Sequence, residues 1–282
     1  MRIPSMVSFI YKSYNVQKQW MKHTILHEKL TINERKSLTY LGGTTGLFDD
    51  FFDQEGTGMS HLKKMLNSPS LEEAKTPSEK LFIQFYLKAL EHRNSETIKK
   101  YYNEGFEAQV QSIKQQQPDL TQEEITQITK QKGGIFILLY RSALEAEITE
   151  QEKAIIVEIG FLGQLENDIF DIYKDYQAGI STLATTTKSI SHLRLTYETS
   201  LNTIFELINQ LKFPEKNKKK FSRLFSIVAS RGLVCLDQLQ KLETENFEIA
   251  AFNREQLICD MGTVKNNLKW LRYYLNWNKN IK

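Results

Sequence analysis

At 282 residues the chain is long enough to bury a substantial core, as one large domain or two small ones. A net charge of only +3 argues against a dedicated nucleic-acid binder, which would carry a basic stripe, and five prolines with thirteen glycines leave little material for a sandwich or barrel with many tight turns. No stretch approaches the roughly 18 uninterrupted apolar residues of a membrane span. Met1 to Lys12, interrupted at Pro4 and Ser5, does not read as a signal peptide, so the expected location is cytoplasmic.

Helix starts divide the chain. Thr31 with Glu34, Thr76 with Glu79, Thr121 with Glu124 and Thr149 with Glu152 all fit the capping box, in which an N-cap hydroxyl and a carboxylate three residues on satisfy each other's backbone donors. The first helix is expected from about Pro4 to Glu28 and the second from Ile32 to Asp53, stopped at Gly56 and Gly58. A loop around Asn67 to Ser70 and a short turn lead to a helix from Pro77 to about His92. Another runs from about Asn94 to Gln117, just before Pro118.

Gln122 to Arg141 is helical but interrupted by Gly133 and Gly134, where a helix can break or let another group approach its backbone. Further helices follow over Glu150 to Tyr176, Thr185 to Leu211, Phe221 to Leu242 behind the lysines of 216–220, and Asn253 to Trp277. Nowhere does period-two alternation appear. The expectation is an all-α fold in one domain over 1–282.

Two acidic segments stand out. In the first, Asp49 and Asp53 share a helix face with Asp50 beside them, inside the apolar frame of Leu47, Phe48, Phe51 and Phe52. In the second, Asn167, Asp171 and Asp175 recur every four residues, with Asp168 one residue round and Ile169, Phe170 and Ile172 between them. Like charges so close repel unless a cation collects them, and an oxygen-only donor set suits a hard ion such as Mg²⁺. Each segment alone also fits a solvated acidic face; two in one helical chain are harder to read that way. His23 and His27, four apart, show no third zinc ligand and read as surface residues. Cys235 and Cys259 lie in apolar-periodic stretches without metal-ligand spacing and read as buried thiols.

Asp49-Asp50-Phe51-Phe52-Asp53 resembles the DDxxD motif of class I isoprenoid enzymes, the terpene synthases and trans-prenyl diphosphate synthases. Asn167 to Asp175 resembles their second motif, with Asp171 where terpene synthases usually have serine and Asp175 where they have glutamate. Gln164, Asp168 and Asp171 also follow the prenyl synthase rhythm. The resemblance implies an antiparallel helical bundle of the class I terpenoid synthase type, with its active-site cavity in the bundle centre. Asp49, Asp50, Asp53, Asn167, Asp168, Asp171 and Asp175 would hold Mg²⁺, usually three ions in this family, or Mn²⁺ in their place. Lys174, Lys130 or Lys132, and the C-terminal pair Arg272-Tyr273 would bind the substrate diphosphate, with Arg141 a weaker alternative. Aromatic residues including Phe48, Phe51, Phe52, Phe136, Tyr140, Phe161, Phe170, Trp270 and Tyr274 are candidates to line the cavity, although most helical aromatics are core.

The implied activity is Mg²⁺-dependent ionisation of a linear polyprenyl diphosphate (farnesyl, geranylgeranyl or longer) with loss of diphosphate and cyclisation of the cation. Neither the basic segment nor the arginine pair that chain-elongating enzymes use for a second diphosphate substrate is present: Gly42-Gly43 precedes Thr44-Thr45, and Gln54-Glu55-Gly56 follows the first motif. That favours cyclisation. Asp171 keeps a prenyltransferase or head-to-head condensing enzyme open, and a non-catalytic all-α binding protein is the alternative of another class. Dimers are common in the family, so a homodimer is a further expectation.

Overall fold

The computed structural model describes residues 30–53, 58–91, 94–117 and 119–280. The expected first helix, about Pro4 to Glu28, and the pair His23 and His27 lie outside these residues. The described residues are helical throughout their regular structure, with no strand among them. In chain order the α-helices are α1 (Ile32–Asp53), α2 (Met59–Asn67), α3 (Pro77–Leu90), α4 (Ser95–Ser112), α5 (Gln122–Arg141), α6 (Glu150–Phe170), α7 (Ile172–Gln177), α8 (Ile190–Gln210), α9 (Glu215–Leu239), α10 (Arg254–Leu257) and α11 (Val264–Asn280). None is long and apolar enough to cross a membrane.

Each of the four capping threonines starts a helix. Two boxes close reciprocally: Thr31 and Thr121 accept from the backbone of Glu34 and Glu124, whose carboxylates accept in return from the threonine backbone. The other two close only on the threonine side, because the carboxylate is used elsewhere. Glu79 accepts from Lys75 N–H and bonds the His61 ring, while Glu152 takes the buried guanidinium of Arg141 at 2.5 and 3.1 Å. Half a box is enough to start α3 and α6, since one orphan amide donor at each N-terminus is still satisfied.

Packing divides the chain into two units, one of the residues through Val110 with Ile135–Lys153, the other of Gln111–Gly134 with the residues from Ala154 on. The core of the first unit is aromatic. Phe48 and Phe51 of α1, Phe82 and Tyr86 of α3 and Tyr102 of α4 are all nearly inaccessible and meet edge-on or stacked at ring-centroid distances such as 5.4 Å for Phe48–Tyr102 and 4.9 Å for Tyr86–Tyr102. α2, not among the expected helices, adds Leu62, Met65 and Leu66, spaced i, i+3 and i+4, to the buried set. Arg141 is committed to this unit's own loop, donating to the Ala146 and Glu147 carbonyls as well as to Glu152.

The second unit is built on two close helix crossings. A Cβ on Gly133 of α5 would lie 2.0 Å from the Gly160 carbonyl oxygen of α6, and one on Gly160 would lie 2.4 Å from Gly133 C. The two backbones are therefore in direct contact. The glycines do not interrupt α5; they admit α6. At the second crossing, a Cβ on Gly232 of α9 would meet the Tyr197 ring of α8 at 2.5 Å. Tyr197 is fully buried there, its hydroxyl bonded to the Ala229 carbonyl at 2.7 Å and to Glu166 at 3.0 Å.

Candidate functional site: the acidic segment of α6 and α7

The expected continuous helix over Glu150 to Tyr176 is jointed at Asp171, which ends α6 and caps α7 with φ −92° and ψ 9°. The four-residue ladder survives the joint: Asp171 N–H donates to the Asn167 carbonyl at 2.8 Å and Asp175 N–H to the Asp171 carbonyl at 2.9 Å. The apolar neighbours fix which face turns inward. Ile169 and Ile172 are fully buried, and Phe170 carries the Arg231 guanidinium over its ring at 5.3 Å.

Burial dominates the electrostatics of this segment. Asp168 is 3 % exposed and its carboxyl is pushed up to about 7, chiefly by burial and further by the nearby carboxylates of Asp175 and Asp171. Its Oδ1 accepts from Gln164 Nε2 at 2.8 Å, one turn back on α6, while Oδ2 is buried without a hydrogen-bond partner. Asp175 rises to about 6 by burial and by the charge of Asp171, and Asp171 is itself raised by burial. Three mutually repelling carboxyls in a half-dry setting hold protons more tightly than free carboxyls do, and a divalent cation would reverse each of those shifts.

The basic candidates separate. Lys132, half-buried on α5 beside Gly133, is close enough to Asp168 and Asp175 to pull both carboxyls down. Lys130 instead pairs with Glu158 of α6 at 3.0 Å. Two residues apart on a helix means nearly opposite sides, and the Gly133–Gly160 contact decides which side meets the acidic segment. Lys174 is 74 % exposed and stands 4.0 Å from Asp171. Arg272 is exposed on α11, whereas Tyr273 is half-buried in a network, its hydroxyl donating to Asp237 of α9 at 2.6 Å and accepting from Arg194 of α8 at 3.4 Å. Asp237 also takes Arg194 at 2.8 Å and Lys269 at 3.4 Å.

The first acidic segment belongs to the first unit. Asp49 Oδ1 accepts from Gln109 Nε2 of α4 at 2.5 Å, a partner the sequence did not indicate. Asp50 is half-buried, and Asp53 occupies the last turn of α1 with only its backbone described. Phe48 and Phe51, candidate cavity aromatics, are core residues of that unit. Trp270 likewise packs inward, its indole N–H bonded to the Ile227 carbonyl at 2.7 Å.

Does the second segment fit a metal ion? Its donors are all oxygens, its carboxyls are charge-starved, and the buried Oδ2 of Asp168 lacks a partner, all of which suit Mg²⁺. Among the described residues no three acidic, histidine or cysteine side chains converge on one point, so the ligand set is not a closed cage. An ion here would keep waters or substrate oxygens in its shell, as Mg²⁺ commonly does. No protein-family model matches the chain, and no curated protein matches it.

Glu166 was not among the expected functional residues. It is 3 % exposed, raised to about 7 by burial despite Arg231 and the Tyr197 hydroxyl, and its Oε1 has no hydrogen-bond partner. A carboxylate one position before Asn167 reads in sequence as part of the acidic run; only packing against α8 and α9 sets it apart.

Proposed function

We propose that the protein is a class I isoprenoid enzyme that ionises a polyprenyl diphosphate with Mg²⁺ and cyclises the resulting cation, in a bundle of the terpenoid synthase type. The observation that carries this reading is the state of the second acidic segment: Asp168, Asp171 and Asp175 have raised carboxyls, mutual repulsion and Lys132 close by. These residues coincide with the motif that resembles the family's second metal site.

In this proposal Asp168, Asp171, Asp175 and Asn167 would each contribute ligands to Mg²⁺ ions whose shells are completed by water or diphosphate oxygens, and Asp49, Asp50 and Asp53 would be ligands of the same kind. The bound ions supply neutralisation of charge on the departing diphosphate. Gln164 orients Asp168 through its 2.8 Å hydrogen bond, leaving Oδ2 for the ion. Lys132 adds a positive charge for phosphate oxygens, and the Gly133–Gly160 contact fixes its position. Asp168, pushed up to about 7, would give up its proton to a bound cation, so metal binding near neutral pH would release protons. No protein nucleophile is required.

Chain elongation or head-to-head condensation is the second reading, favoured by the third carboxylate, Asp171, in the motif. Incubation with geranyl, farnesyl and geranylgeranyl diphosphates and Mg²⁺, with and without isopentenyl diphosphate, decides by mass spectrometry of the products. Hydrocarbons or alcohols formed from one substrate support cyclisation. Longer prenyl diphosphates support elongation, and unconverted substrate throughout rejects both.

A further inference from the structure

The last long helix has three faces, and only one is explained by the core. Trp270, Tyr273 and Trp277 of α11 point inward, to the Ile227 carbonyl at 2.7 Å, to Asp237 at 2.6 Å and to the Phe205 ring at a centroid distance of 5.5 Å. Val264, Leu268, Leu271 and Leu275 do not: they are 76 %, 63 %, 41 % and 50 % exposed. Their spacing of four, three and four residues places them in one stripe about 60° wide. A surface helix normally turns polar residues outward, and a contiguous exposed apolar stripe marks an interaction surface.

Charge selects the occupant. α11 carries no acidic residue, and its cations include Lys265, Arg272 and Lys269, the last also 3.4 Å from Asp237 of α9. At about 100° per residue these fall along one flank of the stripe, between it and the buried face. The flank extends beyond the helix: Lys241, exposed just after α9, has its ammonium pushed down by the positive charges of Lys269 and Lys265. Pairing this stripe with the same stripe of a second copy would bring like-charged flanks together with no carboxylate on either helix to offset them. An apolar strip edged by lysine and arginine is instead complementary to an anionic lipid surface, where leucines enter the headgroup boundary and the cations meet phosphates.

We propose that α11 is a peripheral membrane-docking helix, lying in the plane of an anionic phospholipid surface with Val264, Leu268, Leu271 and Leu275 turned into it. This goes beyond the proposed activity and does not depend on it.

The test is flotation of the full chain with phosphatidylcholine vesicles and with phosphatidylcholine–phosphatidylglycerol vesicles, at low and high salt. The protein should bind the anionic vesicles, and raised salt should weaken binding about tenfold or more. Leu268→Gln with Leu271→Gln should weaken it by about tenfold or more, because two partly inserted side chains are lost. Lys241→Gln with Lys265→Gln should weaken binding to the anionic vesicles alone, by up to about twentyfold. All four positions are at the surface, and glutamine is a good helix former, so unchanged circular dichroism will show that the variants fold. Absence of vesicle binding by the folded wild type overturns the proposal, as does binding indifferent to both double variants. A dimer in light scattering that Leu268→Gln with Leu271→Gln dissociates also overturns it, by assigning the stripe to a second copy.

Discussion

Replacing Gly160 by alanine should destabilise the protein, although alanine is the better helix former. The added methyl would sit 2.4 Å from Gly133 C and Gly134 N and 2.5 Å from the Gly133 oxygen, all backbone atoms that no rotamer change can move. Carbon atoms rest at about 3.5–4.0 Å, so α5 and α6 must part by about 1 Å along the contact. Overpacking of this kind costs about 1–3 kcal/mol and sometimes more, while the gain from removing a helical glycine is about 0.5–1 kcal/mol. A net loss of about 1 kcal/mol is expected. Gly163, one turn on in the same helix, supplies the control: it is exposed, and a Cβ there would meet nothing within 4 Å. Gly163→Ala should therefore keep only the gain, about 0.5–1 kcal/mol. Urea unfolding followed by circular dichroism would show the midpoints of the two variants moving in opposite directions from wild type at similar slope. Equal stability of Gly160→Ala and Gly163→Ala would refute the backbone contact and with it the placement of Lys132.

Three further substitutions test the electrostatics. Glu166, raised to about 7 in the fold, binds its proton more tightly there than in the unfolded chain, so its contribution is full at low pH and is lost as pH rises through about 7. Wild type should lose roughly 2–3 kcal/mol more stability between about pH 5 and about pH 8 than Glu166→Gln does, in metal-free buffer. Parallel pH profiles of urea midpoints would exclude a buried ionising Glu166. Tyr273→Phe removes the hydroxyl shared by Asp237 and Arg194 and should cost about 1–2 kcal/mol, whereas exposed Arg272→Ala should stay within about 0.5 kcal/mol of wild type. A larger thermal shift for Arg272→Ala than for Tyr273→Phe would reverse the roles of the pair.

The helical class was legible because its signals are local. A threonine three residues before a glutamate acts within one turn, and all four such pairs start helices. Helix interruptions were less legible. Gly133 and Gly134 read as a break but serve as a contact, since what approaches them lies elsewhere in the chain. The joint at Asp171 has no glycine or proline to announce it. α8 begins at Ile190 and not near Thr185, because Thr182 and Thr185 bond each other and the Ile180 carbonyl in a local turn. α2 has nine residues and no side-chain cap, and its apolar stripe of Leu62, Met65 and Leu66 spans barely one turn. The acidic segments could be found by spacing alone, yet spacing could not rank Lys130 against Lys132, because that depends on which carboxylate of the packed helix each lysine meets, Glu158 for Lys130 and the Asp168–Asp175 segment for Lys132. Nor could spacing separate Asp168, buried and short of one partner, from a carboxylate in water.

If Asp168 and its neighbours hold Mg²⁺ against a diphosphate, the readout is release of inorganic diphosphate from farnesyl and geranylgeranyl diphosphates. Wild type should release diphosphate with Mg²⁺ and stop with chelator, and Asp168→Asn should lower the rate by about a hundredfold or more while circular dichroism stays unchanged. Release that is independent of Mg²⁺, or undiminished in folded Asp168→Asn, would contradict the account.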